Sequence, residues 1–562
     1  MTGPGAAGMG GGSAGSGVPD PGHGNPLEQL RVAVEEASAQ LRGAGCAPRA
    51  APTLERPPKP EFGDYSTNAA MLLAPVLGEQ PRAIAQRLGA ELDAQLGGRL
   101  DRVEVAGPGF LNLFLADAWF REALRHVLGA GEAFGGGIAE RPERILVEFV
   151  SANPTGPLTA AGGRHAAYGD ALARVLAFSG HTVAREYYVN DHGTQVRKLG
   201  ESIRARARGE EVAEDGYRGD YVRDLAENIP GAEDGDPDEL ARKGVELMVA
   251  RIRTTLRRYR VDFDSWFSER GLHGGTVAEV LAGLERRGHV YRREGADWLR
   301  TTSFGDDKDR VLRRSTGELT YFASDIAYHE HKRGRGFDRL INVLGADHHG
   351  YVPRMKAAFE ALGGDPDALE LLIMQFVNVL EGGSRAAMSK RRGEFISLDD
   401  LVDEIGVDAT RFFLLQRSHD TTVDLDLNLA REQSSENPVF YIQYAHARIA
   451  SILEKAGARQ VAPVHADESP EAPLDPAERT LVKRLLAFPA EVDEAAWRRA
   501  PHRIAAYALE LAQDFTAFYR DCRVVGAEAA GVESFRLALS AASQRTIARS
   551  LHLLGVDAPE SM

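Results

Sequence analysis

Three patterns in the sequence predict a multidomain protein, part α/β and part all-α. Between about residues 136 and 430 short apolar runs alternate with helix-period segments, and the runs end in loops rich in Gly, Asp, His and Lys. That is the pattern of a doubly wound parallel sheet. After about residue 430 the strand signals stop and helical periodicity takes over, which predicts a helical bundle. Before the sheet region, the stretches PPKPEFGDYSTNAAM and VAGPGFLNLFL enclose a helix-period segment, which predicts a small α/β domain. A chain of 562 residues is too long for one core.

Residues 1–24 carry ten glycines and almost no large apolar side chain, so they cannot bury enough surface to offset ordering and are expected to be disordered. The N-terminal domain is expected over 25–135. Asn25-Pro26 reads as a helix cap and first helical position, with Leu27, Leu30, Val34, Ala37 and Leu41 as the core stripe. Ile84, Leu88, Leu92 and Leu96 recur every four residues as a second helix, and Arg102–Val105 and Phe110–Leu115 read as strands. Phe62, Tyr65 and Asn68 suit either ordinary packing and turn chemistry or contact with an RNA loop.

The sheet domain, expected over 136–430, is organised around Ile145–Gln195. Ile145–Val150 reads as a buried strand, Ser151–Ala161 as a loop broken by two prolines and a glycine, and the segment from Gly162 as a helix. Tyr168, Leu172, Val175 and Leu176 form its stripe, Gly180 its C-terminal cap, and Thr182–Val189 the next strand. Such a unit brings a helix N-terminus to the sheet edge, where phosphates bind, although a structural loop would read the same. A helical insertion is expected at about 200–300. Arg339–Leu344 reads as a strand entering GADHHG, and Leu371–Leu380 as one entering EGGSRAAMSKRRGEF. The bundle, 431–562, is expected to hold helices at 436–456, 477–497, 502–522 and 534–554, with a Pro/Glu/Asp-rich linker at 461–477. No coiled-coil seam is evident, so a monomer is expected.

Composition is globular, with 43% hydrophobic and 27% charged residues. No apolar run is long enough to span a bilayer, and the first Lys or Arg is Arg31, unlike the start of a signal peptide. Two cysteines, Cys46 and Cys522, provide neither a disulfide framework nor a Cys-rich zinc site, so a cytoplasmic setting is expected. A net charge of −15 argues against DNA coating but leaves room for an RNA-binding groove.

Glu148 lies near the end of an otherwise apolar strand, where a carboxylate either faces water or meets a cation. Asn153 and Thr155 follow in the loop. Tyr321 and Asp325 share a helical face at i and i+4, and Gln375 projects from the later strand. Two carboxylates, an amide and a phenol suit a guanidinium; salt bridges on a helix face are the plainer reading. Met388-Ser389-Lys390-Arg391-Arg392-Gly393 is a basic, glycine-ended run that suits a polyphosphate or a solvated turn equally. His329, His331, His348 and His349 lack metal-motif spacing, so no structural zinc is expected.

SANPTGPL, NDHGTQ, GADHHG, MSKRRG and the terminal LHLLGVDAPESM resemble, in order and spacing, the arginyl-tRNA synthetases of bacterial type, from about residue 27 to Met562. The resemblance implies a Rossmann-type class I catalytic domain that joins arginine to ATP, with Mg2+, as arginyl-adenylate and passes it to tRNA(Arg), with tRNA needed for the first step. It implies no membrane or DNA partner. The N-terminal domain resembles the family's tRNA-elbow domain. The bundle resembles its anticodon-binding domain, with NPVFYIQYAHARI as the family-like helix. Glu148, Asn153, Tyr321, Asp325 and Gln375 match arginine-binding positions. Pro154, Gly163, Asp347, His348 and Met388 fall on the ATP side, and Ser389 and Lys390 match the mobile loop that steadies the leaving pyrophosphate.

Two departures stand out. Where the family resemblance implies His-x-Gly-His, Thr159-Ala160-Ala161-Gly162 stands, so Thr159 and Gly162 occupy the catalytic histidine positions, and Ala387 replaces the first lysine of Lys-Met-Ser-Lys. Losing one preorganised donor costs about 10²–10³ in rate. Thr159 keeps a hydroxyl, Gly162–Gly163 keep helix N-terminal N–H groups, and His165 offers another imidazole. Two readings follow: a ligase with reduced turnover, or a synthetase-shaped protein that binds tRNA or arginine with little adenylation.

Overall fold

Asn25 accepts a hydrogen bond from the Leu27 N–H at 3.0 Å and Pro26 takes the first helical position, so α1 (Pro26–Arg42) starts at its capping signal. Residues 25–43, 50–385, 396–457 and 472–562 are described by a computed structural model. The expected tail at 1–24 and most of the linker at 461–477 lie outside them. The chain divides into two compact units, Met1–Phe134 and Gly135–Met562.

In the first unit, α1 is followed by β1 (Leu54–Glu55), β2 (Tyr65–Thr67), α2 (Ala69–Leu77), α3 (Pro81–Leu96), β3 (Leu100–Ala106), β4 (Phe110–Leu115) and α4 (Asp117–Ala130). The strands form an antiparallel sheet ordered β1-β2-β4-β3. Ile84, Leu88 and Leu92 bury one face of α3, while Trp119, Phe120, Leu124 and Val127 bury one face of α4, an element beyond the sequence reading. Tyr65 packs edge-on against Trp119, and the Asn68 side chain accepts the Thr53 N–H, so both serve packing and turn. Phe62 remains 41% exposed.

The second unit opens with β5 (Arg144–Glu148), α5 (Ala160–Ser179), β6 (Thr182–Val189), α6 (Thr194–Ala207), α7 (Asp220–Asn228), α8 (Pro237–Arg258) and β7 (Ser265–Ser268). It continues through α9 (Thr276–Arg286), β8 (Val290–Arg293), β9 (Ala296–Leu299), β10 (Arg310–Arg313), α10 (Tyr321–Gly334), β11 (Arg339–Gly345), α11 (Tyr351–Ala361) and β12 (Leu369–Met374). The main sheet, ordered β12-β11-β5-β6-β7, is parallel throughout, and its strand order reverses between β5 and β11. Ligands of doubly wound sheets lie at that switch point, beyond the strands' carboxyl ends. Leu146, Leu340 and Leu369 share a core with Ala323 and Ile326 of α10 and Met355 of α11.

Three expectations are corrected. The segment at 200–300 is not wholly a helical insertion: β7 joins the main sheet, and β8 and β9 pair with β10 in a small antiparallel sheet. The single strand at Leu371–Leu380 is two, β12 and β13 (Val377–Glu381). β13 pairs with β14 (Ser384–Arg385) and with β15 (Val423–Asp426) after α12 (Leu398–Leu415). The break falls at Gln375-Phe376, whose carbonyls both accept from Arg164, the Phe376 carbonyl also accepting the Val423 N–H at 3.0 Å. After α13 (Leu427–Arg431) and α14 (Pro438–Lys455), the helix expected at 477–497 is α15 (Pro476–Leu486) and α16 (Phe488–Trp497). Pro489, which has no N–H to donate, sits in the first turn of α16. α17 (His502–Asp521) and α18 (Val532–Leu554) complete the bundle. No helix among the described residues is long and apolar enough to cross a membrane.

Candidate active site

β5 ends at Glu148, two residues short of its expected end, and the chain leaves it through Val150 (φ 66°) and Ser151 (φ 39°). These left-handed conformations cost about 1–3 kcal/mol each and persist only where surroundings fix them. Here side chains from other elements do so. The Ser151 hydroxyl donates to Glu148 at 3.1 Å and accepts the Tyr188 N–H at 3.1 Å. The Tyr187 hydroxyl donates to the Ala152 carbonyl at 2.9 Å, the Asn190 amide to the Asn153 side-chain oxygen at 3.2 Å, and the Tyr221 hydroxyl to the Thr155 carbonyl at 2.8 Å. Asn153 is exposed, and Pro154 and Thr155 are buried.

Thr159 is the N-cap of α5: its side chain accepts the Gly162 N–H at 3.2 Å, and its carbonyl accepts the Gly163 N–H at 2.9 Å. The Ala160 N–H donates to Ile396 at 3.0 Å. The Gly162 N–H is thus taken up by the cap and the Gly163 N–H by the first intrahelical bond. Gly163 is buried, and a Cβ there would meet Leu398 at 2.7 Å, whereas one on Gly162 finds ordinary contacts from 3.5 Å. Burial drops the His165 imidazole to about 4, with a ring N–H bonded to the Val343 carbonyl, so it is neutral.

Arg164, 1% exposed, donates to the carbonyls of Gln375, Phe376, Ser418 and Thr421 at 2.8, 3.3, 2.8 and 2.8 Å. Burial brings its guanidinium down to about 10. α5 thereby fixes the Gln375 turn beside the sheet.

Glu148 has its own cation. The fully buried Lys332 ammonium lies 2.8 Å from its carboxylate, and the Asn342 amide donates to the same oxygen at 2.9 Å. Lys332 also donates to the Asn342 oxygen at 2.9 Å, and His329 faces that amide at 3.1 Å. The pair belongs to the protein's own core, and sequence reasoning had left Lys332 aside.

Two other carboxylates do lack a fixed cation. Asp325, on α10, is pushed up to about 7 by burial, against a hydrogen bond from Tyr351, with Glu269 and Glu148 adding repulsion. Glu269, 4% exposed in a short turn after β7, is likewise raised by burial, with the Tyr188 hydroxyl donating to it. Tyr188 feels the charges of both. His273 lies 3.4 Å from Glu269 and stacks on His192 at 4.0 Å, yet burial lowers both imidazoles towards neutrality. Tyr321, 60% exposed, brings its hydroxyl to the Gly193 turn, where a Cβ would sit 3.6 Å away. Buried acids held above their normal range are suited to an organic cation that supplies the missing charge. Glu269 is the acid that the sequence reading missed. Its signal was an acid placed directly after an aromatic run, SWFSER.

Asp347 and His348 lie exposed in the turn after β11, 3.5 Å apart. Met388, Ser389 and Lys390 lie outside the described residues, as does Ala387.

In the bundle, a groove of about 660 Å³ is lined by Tyr444, Arg448, Lys455, Tyr519, Arg523 and Met562, among others. Arg448 stacks over Tyr444 and Tyr519 at 4.8 and 5.3 Å, and these rings are 43% and 38% exposed. Exposed aromatic faces beside guanidinium groups are what unstacked bases bind.

Three family models match the chain: arginyl tRNA synthetase N terminal domain over residues 28–115, tRNA synthetases class I (R) catalytic domain over 125–450, and DALR anticodon binding domain over 442–562. The chain is 46% identical over 527 residues to an arginine–tRNA ligase of Frankia alni, covering 91% of this chain and 94% of the relative. It is 44% identical over 551 residues to one of Shouchella clausii, covering 95% and 99%. Among solved structures, the arginyl-tRNA synthetase of Thermus thermophilus matches with a TM-score of 0.74 at 28% identity, covering 95% of this chain and 100% of that one. The chain belongs to the arginyl-tRNA synthetase family.

Proposed function

We propose that the chain is an arginine–tRNA ligase that uses Glu269 and Asp325 as the guanidinium site. The observation that carries this reading is two buried acids without a fixed cation of their own, Glu269 directly after β7 and Asp325 on α10, with the Glu269 charge adding to the rise at Asp325. Arginine, seated by these acids and by Tyr321 and Asn153, attacks the α-phosphorus of ATP through a carboxylate oxygen. The α–β bridging bond breaks and pyrophosphate leaves. A terminal hydroxyl of tRNA(Arg) then attacks the adenylate carbonyl, and AMP departs. Glu148 supports the site through Ser151 and Lys332 rather than by meeting substrate. Gln375 contributes from the turn that Arg164 holds, and Asp347 and His348 lie on the nucleotide side with Pro154. Ser389 and Lys390 neutralise the leaving phosphates. Thr159 and Gly162 shape the start of α5 rather than donate to phosphate. Among the described residues no cluster of acids and imidazoles could hold a metal ion alone, so Mg2+ would ride largely on ATP oxygens.

The groove at Tyr444 and Arg448 is the proposed anticodon site, and Phe62 a proposed contact to the tRNA elbow. A cytoplasmic monomer is proposed. The competing reading, a binder with little adenylation, draws on the spent N–H groups of α5. Pyrophosphate exchange with ATP, arginine and arginine-accepting tRNA decides between them: exchange supports the ligase, and binding without exchange supports the binder.

A further inference from the structure

The helical segment between β6 and β7 reaches the phosphate loop through one side chain. Tyr221, in the first turn of α7, donates its hydroxyl to the Thr155 carbonyl at 2.8 Å, and a Cβ on Gly156 would lie 3.4 Å from that hydroxyl. The helix beneath it is firmly placed. Val222 and Leu225 are buried in a core shared with Leu199 and Ile203 of α6 and Met248 of α8. The loop, by contrast, has no strand partner between Asn153 and Leu158, so each bond to a fixed element decides where its backbone points.

A trans peptide is planar, with its C=O and its N–H directed to opposite sides. Drawing the Thr155 carbonyl onto α7 therefore turns the Gly156 N–H away from α7. We infer that Tyr221 is a positioning residue for ATP: it holds the Thr155–Gly156 peptide so that this N–H is presented to the triphosphate. Such a donor matters because three of the first-turn N–H groups of α5, those of Ala160, Gly162 and Gly163, are already bonded within the protein, which leaves only Ala161 in that turn. The inference rests on the adenylating reading above.

The test compares the full-length chain with Tyr221→Phe and, as a control in the same helical segment, Tyr217→Phe, whose hydroxyl bonds the Gln195 side chain. Affinity for a non-hydrolysable ATP analogue and for arginine is measured by calorimetry, alongside the melting midpoint. Tyr221→Phe is expected to weaken the analogue about ten-fold, the effect of a lost hydrogen bond to a charged ligand. Arginine affinity should stay within about two-fold and the melting midpoint within about 2 °C, and Tyr217→Phe should leave all three unchanged. Unchanged analogue affinity overturns the inference. So does parallel weakening of both ligands with a lowered midpoint, which marks a merely structural bond. Failure of the unaltered chain to exchange pyrophosphate would count against the ligase reading alone, since the calorimetric comparison still decides the role of Tyr221.

Discussion

Thr159 and Ser397 each cap a helix, α5 and α12, and each pairs with the other across an antiparallel bridge. The Ala160 N–H donates to Ile396 at 3.0 Å and the Leu398 N–H to Leu158 at 2.8 Å. The chain at Ile396–Leu398 is thus anchored directly on the start of α5, at the residue that stands in the motif histidine position.

Restoring an imidazole tests that arrangement. The space at Gly162 admits a side chain, so Gly162→His should raise the rate of pyrophosphate exchange by at least about ten-fold without loss of stability. Thr159→His removes a cap worth about 1 kcal/mol and should lower the melting midpoint even if it adds rate. An unchanged rate in both would place the nucleotide contacts elsewhere.

The raised acid at Asp325 sets a pH dependence. Arginine, a cation, binds the ionised form, and that form grows as pH rises through about 7. The KM for arginine should therefore fall from pH 6 to pH 8, and Asp325→Asn should raise it strongly while flattening that slope. Stability runs the other way. A carboxyl whose folded value lies above its unfolded one stabilises most below the unfolded value, and that stability is lost as pH rises through the folded value. Without arginine, Asp325→Asn should accordingly melt about 1–3 °C higher at pH 8.

Lys332 and Glu148 form a buried pair. Lys332→Met leaves a carboxylate without its ammonium and should cost about 3–5 kcal/mol. Adding Glu148→Gln should recover much of that loss, measured as a coupling in denaturant titrations of the single and double variants. Additive losses would refute the pairing.

Tyr444→Ala and Arg448→Ala should weaken tRNA binding, each by about 1–3 kcal/mol, with the KM for arginine unchanged. A filter-binding assay alongside arginine kinetics separates the two effects.

The long regular elements were legible in the sequence: β6 spans Thr182–Val189 as read, and Gly180 ends α5 in the left-handed region. Local periodicity carries that information. The partners of charges did not show, because they come from distant segments. Glu148 and Lys332 lie 184 residues apart, and Arg164 reaches carbonyls 211 to 257 residues away. Glu269 escaped because β7 is four half-buried residues with no alternation to mark it. α15 and α16 were merged since their apolar pattern runs across Pro489, although the proline itself was readable.

The most direct test of the guanidinium site is pyrophosphate exchange with arginine or citrulline, its neutral urea counterpart, in the presence of arginine-accepting tRNA. The unaltered chain should exchange with arginine and discriminate against citrulline, and Glu269→Gln should reduce kcat/KM for arginine by at least about 100-fold, the cost of leaving a buried charge unpaired. Equal use of both amino acids, or an unaffected Glu269→Gln, would contradict the assignment of Glu269 and Asp325 as the arginine site.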